Sequence, residues 1–113
     1  RKYLIQTIRH DMAASNRPRI WIHCASLGEF EQGRPVMEAF KQTYPSTSIV
    51  LTFFSPSGYE VQKNYAGADY IYYLPADSNA NAQAFIKAVQ PQLALFVKYE
   101  FWWHYLKICR QQQ

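Results

Sequence analysis

Long apolar runs, metal-ligand spacings and nucleotide fingerprints are all missing from this sequence. No stretch reaches the roughly 18 consecutive apolar residues of a membrane-spanning helix, and nothing at the amino end has the pattern of a secretory signal. The two cysteines, Cys24 and Cys109, are too few and too far apart for a zinc site or a disulfide framework. Both read as buried thiols in a reducing compartment. Neither G-x-G-x-x-G nor a Walker sequence occurs, which counts against dinucleotide and P-loop readings. Internal repeats and low-complexity tracts are absent, and only 18% of the residues are charged.

Apolar and aromatic residues, by contrast, are abundant. At 113 residues, 49% hydrophobic and 17% aromatic, the chain has the material for one compact core. Its net charge of +4 is concentrated at the amino end, where Arg1, Lys2, Arg9, Arg17 and Arg19 face only Asp11 and the remainder balances. Such a segment suits nucleic acid, acidic headgroups or a phosphorylated ligand, or is a solvated helix face. The chain opens at Arg1 without a Met and stops at Gln113 just after a helix pattern, as an excised domain of a longer protein would.

Taken in order, Lys2 to Met12 sets Tyr3, Leu4, Ile5 and Ile8 at helical spacing among basic residues, which predicts a basic amphipathic helix. Ala13 to Pro18 is a linker, and Arg19 to Cys24 is a branched apolar run of strand length. A helix carrying Phe30, Val36, Met37 and Phe40 follows. It starts either near Arg34 or at Gly28 with a kink at Pro35, and the sequence leaves both open. Ser48 to Phe54 is a second strand, turned by Ser55-Pro56-Ser57-Gly58 into a helix through about Tyr65. Tyr70 to Leu74 is a third strand, and Asp77 or Ser78 is suited to capping a helix over Asn79 to Val89. Leu93 to Val97 is a fourth strand, leading into an aromatic helix from about Phe101 to Arg110. This alternation with short links predicts an α/β fold, a parallel sheet with helices on both faces.

In such a sheet, ligands bind beyond the carboxyl ends of the strands where strand order reverses. Every predicted strand end carries polar residues: Ser26 and Glu29; Ser55, Ser57 and Gly58; Asp77; Lys98, Tyr99 and Glu100. If the order is 3-2-1-4, Glu29 and Glu100 face each other across the reversal, an arrangement that equips one of two carboxylates to act as a base near neutral pH. Glu29 and Glu100 are equally suited to complementing helix dipoles. Ser26, Ser55 and Ser57 are ordinary caps, or else mark N–H groups that hold an anion such as phosphate. His23, inside an apolar strand, reads as a satisfied core histidine, and Trp102, Trp103 and Tyr105 read as packing.

The stretch Ile20-Trp21-Ile22-His23-Cys24-Ala25-Ser26-Leu27-Gly28-Glu29, followed by Pro35 and Tyr44-Pro45, resembles the N-terminal domain of the 3-deoxy-D-manno-octulosonic acid (Kdo) transferases of lipopolysaccharide synthesis. Three further segments match in order: Thr52-Phe53-Phe54-Ser55-Pro56-Ser57-Gly58 is similar to T-x-x-[ST]-x-[ST]-G, Tyr73-Leu74-Pro75-Ala76-Asp77 to Y-L-P-x-D, and Glu100-Phe101-Trp102 to E-x-W. The resemblance covers about residues 19 to 106. The segment from Val97 to His104 departs from the family pattern in lacking a further acidic residue and a proline, which leaves Lys98 and His104 without an assigned role.

The resemblance implies a two-domain GT-B glycosyltransferase. Residues 1–18 would be a basic helix and linker, residues 19–113 the Rossmann-like acceptor-side half, and the nucleotide-sugar half would lie outside this chain. It implies inverting transfer of Kdo from the donor CMP-Kdo to the lipid A precursor at the cytoplasmic face of the inner membrane. Neither a cofactor nor an essential metal is expected, the anionic membrane surface is the expected partner of the basic amino end, and no nucleic acid is. Glu29 would be the catalytic base, with Ser26, Gly28, Ser55, Ser57, Gly58 and Glu100 on the substrate side. The alternatives are another GT-B sugar-nucleotide enzyme such as an epimerase, or a non-catalytic α/β binding domain whose carboxylates are helix caps.

Overall fold

The computed structural model describes residues 4–54, 56–73 and 79–97, with the side chains of Pro56, Ser57 and Asn79 left aside. Expectations for Ser55, Asp77, Ser78, Lys98, Glu100, Trp102, Trp103, His104, Tyr105, Cys109 and the last helix lie outside the described residues.

Eight elements follow one another: α1 (Leu4–Ala13), β1 (Arg19–Cys24), α2 (Leu27–Thr43), β2 (Ser48–Phe53), α3 (Pro56–Gln62), β3 (Tyr70–Tyr73), α4 (Asn79–Val89) and β4 (Leu93–Val97). The strands form one sheet in the order β3-β2-β1-β4. Every pairing is parallel, with Cys24 beside both Phe53 and Val97. This is the 3-2-1-4 order on which the crevice argument depends, and the reversal falls between β1 and β4. The expected α/β, Rossmann-like sheet is therefore present.

Period-two alternation along the strands divides the core in two. On one face Trp21, Val50 and Tyr72 pack with Ile8 and Met12 of α1 and with Phe85, Ile86 and Val89 of α4. The Trp21 ring lies 4.7 Å from Phe85 and 5.1 Å from Phe96 between centroids. On the other face Ile20, Ile22, Cys24, Ile49, Leu51 and Phe53 meet Phe30 and Met37 of α2. Helices thus cover both faces, as right-handed crossovers between parallel strands require.

Helix α1 spends its apolar face on this core. Ile8 is fully buried and Met12 nearly so, and Asp11 accepts a 2.6 Å hydrogen bond from the Tyr72 hydroxyl. The basic residues Arg9 and His10 remain exposed. Any attraction of α1 to an anionic surface must therefore be electrostatic, since its apolar stripe is already in use. No helix among the described residues is long and apolar enough to cross a membrane.

The open question about α2 is answered in favour of the early start. Ser26, extended at φ −147° and ψ 172°, caps a continuous helix that runs through Pro35. Proline costs the helix one hydrogen bond there. Burial of Phe30, Gly33 and Met37 on one stripe of α2 offsets it. Gly33 matters sterically: a β-carbon there would stand 3.0 Å from Val97 Cγ2 and 3.8 Å from Cys24 Sγ, so the bare backbone lets α2 lie close over β1 and β4.

Candidate functional site

β1 ends at Cys24 next to the reversal of strand order, and Ala25 and Ser26 carry the chain into α2. The Ser26 side chain accepts from the Glu29 backbone N–H at 3.5 Å, and its carbonyl accepts from Phe30 N–H at 3.0 Å. Ser26 and Glu29 thus have the spacing of a capping box, in which the glutamate carboxylate would reach back to the cap residue's N–H. Here that reciprocal bond is not made. Glu29 Oε1 is buried and has no hydrogen-bond partner among the described residues.

The unmade bond bears on both readings of Glu29. A capping-box carboxylate ordinarily makes the reciprocal bond, and a buried polar oxygen left without a partner is costly. The helix N-terminus, equivalent to roughly half a positive charge, offsets part of that cost. What remains is a carboxylate held on a rigid first helical turn with unused accepting capacity.

Its neighbours are chemically quiet. The Cys24 thiol is pushed up to about 12, first by burial and then by the negative charge of Glu29, so it stays protonated and is no nucleophile. His23 is fully buried, and burial lowers its pKa to about 4. Its Nδ1 lies 3.0 Å from Thr52 Oγ1, which also accepts from Trp21 Nε1 at 2.8 Å. Parallel register places His23 beside Thr52, so the pair shares the α1/α4 face. His23 is a neutral core histidine, as its apolar context predicts.

The two glycines near the strand ends differ. Gly28 is exposed, and a β-carbon there would meet only Ser26 Oγ at 3.9 Å. Neither packing nor a positive φ demands glycine at this position, so the bare backbone leaves open ground beside Glu29. Gly58 is buried. A β-carbon there would stand 2.8 Å from Phe53 Cδ1 and 3.4 Å from the Leu27 N, so its smallness brings the starts of α2 and α3 together. Ser57 lies in the first turn of α3. The structure thus gathers Ser26, Gly28, Glu29 and Gly58 at the carboxyl end of the sheet.

The roles of Gly33 and Thr52 were not legible from sequence. Gly33 stands out as the glycine three residues from Phe30 and four from Met37 on an apolar stripe, the signal of close helix packing. Thr52 stands out as a polar residue at a buried position of β2, which requires a partner. Among the described residues no group of three or more His, Cys, Asp or Glu side chains is arranged to hold a metal ion.

Comparison with known proteins agrees with these elements. A family model described as 3-deoxy-D-manno-octulosonic-acid transferase (kdotransferase) matches residues 4–113. The chain is 38% identical over 84 residues to the 3-deoxy-D-manno-octulosonic acid transferase of Haemophilus influenzae, covering 74% of this chain and 20% of that protein. It is 32% identical over 92 residues to the enzyme of the same name from Chlamydia muridarum, covering 79% and 21%. With that of Aquifex aeolicus it shares 32% identity over 84 residues, covering 74% and 23%. The matches span about a fifth of the length of these relatives.

Proposed function

The chain belongs to the 3-deoxy-D-manno-octulosonic-acid transferase family, and from that premise we propose that it forms the acceptor-side half of a GT-B glycosyltransferase. The donor is CMP-Kdo and the acceptor the lipid A precursor, met at the cytoplasmic face of the inner membrane. The donor binds mainly to a second half outside this chain, so the 113 residues alone do not turn over.

Glu29 is the general base. Its carboxylate accepts the proton of an acceptor sugar hydroxyl as that oxygen attacks the anomeric carbon of Kdo. The bond to CMP breaks on the opposite side, the nucleotide leaves with the bonding electrons, and configuration inverts. Ser26 fixes the turn that carries Glu29, Gly28 leaves room for the acceptor, and Ser55, Ser57, Gly58 and Glu100 are the remaining proposed substrate-side residues.

One observation carries this reading: the buried Glu29 Oε1 has no hydrogen-bond partner among the described residues, at the strand end where an α/β sheet places its ligand. A substrate hydroxyl would supply the missing partner. The test is transfer by the intact protein, with CMP-Kdo and the lipid A precursor, before and after Glu29→Gln. Glutamine keeps the shape and cannot take the proton, so turnover is expected to fall by about 10²- to 10⁴-fold. An intact, folded protein without Kdo transfer would overturn the transferase assignment, and an unimpaired Gln variant would remove Glu29 from the mechanism.

A further inference from the structure

The opposite end of the sheet holds a cavity of about 640 Å³. It lies where β1 begins, about 16 Å from the Glu29 end by the rise of a strand. Arg9, Arg17, Arg19 and Lys87 line it together with neutral polar groups, Asn16 and Gln92 among them. None of its lining residues is acidic. Asp11, the acidic residue of α1, bonds the Tyr72 hydroxyl instead.

Part of this charge has a structural task. Arg19 donates to the carbonyls of Val89 at 2.9 Å, Met12 at 2.6 Å and Ser15 at 2.7 Å, closing the ends of α4 and α1. Arg17 donates to Pro45 O at 2.6 Å and Ser46 O at 2.8 Å, just past the end of α2. Lys87, in the last turn of α4, suits that helix's dipole. Three helix C-termini supply roughly one and a half negative charges in total, against four cationic side chains. An excess of more than two positive charges is left. Arg9 and Lys87 are exposed and make no hydrogen bond or ion pair with other described residues, so their donors are available.

We propose that this cavity binds a phosphomonoester carrying a hydroxylated group, such as a sugar phosphate or a glycerol-phosphate headgroup. A phosphomonoester brings about −1.5 to −2 charges near neutral pH and three accepting oxygens, which match the excess and the free donors of Arg9 and Lys87. The volume lies within the roughly 300–1,000 Å³ of small-ligand sites and leaves room beyond the phosphate, where Asn16 and Gln92 meet hydroxyl groups. The site is remote from Glu29 and stands independently of the transferase reading.

Two probes separate the sources of this chemistry: soluble glycerol 3-phosphate, and phosphatidylcholine vesicles containing phosphatidic acid. Each is titrated against the intact wild-type protein, an Arg9→Gln/Lys87→Gln variant, and a charge-matched Arg34→Gln/Lys63→Gln control on the other side of the fold. The cavity variant is expected to weaken binding at least about tenfold, while the control stays within about twofold. Binding of glycerol 3-phosphate alone with that pattern assigns a soluble ligand; binding of the vesicles with that pattern assigns a lipid headgroup. Equal weakening in both variants, or no binding of either probe up to about 10 mM phosphate, overturns the proposal. Thermal unfolding unchanged by Arg9→Gln/Lys87→Gln excludes a folding defect.

Discussion

The two ends of the sheet use charge in opposite ways. At the amino end, where helices finish, the guanidinium groups of Arg17 and Arg19 are committed to five backbone carbonyls. At the carboxyl end, where helices begin, the carboxylate oxygen Glu29 Oε1 is buried and committed to nothing described. Both placements obey the helix dipole, which favours cations at helix C-termini and anions at N-termini. Complementing a dipole therefore does not distinguish a structural charge from a functional one. The hydrogen bonds differ: the two guanidinium groups are satisfied by carbonyls, whereas Glu29 Oε1 has no partner among the described residues, and the proposed role of Glu29 builds on this difference.

The largest stability effect is expected at the amino end. Arg19→Met would strip three carbonyls of a charged donor, at a cost of about 3 kcal/mol read from the midpoint of urea unfolding. A loss no greater than that of Glu29→Gln would erase the contrast between the two ends. Glu29→Gln itself should not destabilise, because no described bond to the carboxylate is lost and removing the charge relieves its desolvation.

A comparable effect is expected from pH, and it belongs to the core between the two ends. His23 has its pKa lowered from 6.5 to about 4 in the folded chain, whereas the unfolded chain binds the proton at ordinary pH values. The stabilisation is complete above about pH 6.5 and is lost as the pH falls towards 4. The loss is on the order of 3 kcal/mol, and a His23→Gln variant should show a flatter profile over that window. An identical pH profile in the two proteins would contradict the buried neutral histidine.

The smallest effects sharpen the comparison within the carboxyl end. Gly58→Ala forces a methyl against the Phe53 ring and should destabilise by about 1–3 kcal/mol. Gly28→Ala meets open space and should be neutral or stabilising by up to about 1 kcal/mol in a helix, while lowering acceptor turnover through a raised KM. If Gly28→Ala left KM unchanged, the open ground beside Glu29 would not be acceptor space.

Much of this was legible in the sequence. β1, α4 and β4 have the expected bounds because Pro18 and Pro91 punctuate branched apolar runs and an unambiguous amphipathic helix. The Ser26–Glu29 turn was legible as a strand end entering a helix, and the 3-2-1-4 order needed only to be met by the pairing observed. The start of α2 was not legible. Pro35 argued for a late start, and a tertiary fact, the burial of Phe30 and Gly33, outweighed it. Nor could Arg9 and Lys87 be associated, since only the crossover from β3 through α4 back to β4 brings the end of α4 beside α1. The unmade capping-box bond is invisible in sequence for the same reason: S-x-x-E specifies the spacing, and only coordinates say where the carboxylate goes.

The claim that an uncommitted Glu29 is the base is tested most directly by the rate of Kdo transfer in the intact protein at saturating CMP-Kdo and lipid A precursor, wild type against Glu29→Gln. The account predicts a fall in kcat of about 10²- to 10⁴-fold with the urea midpoint not lowered. Equal rates from two equally folded proteins would contradict it.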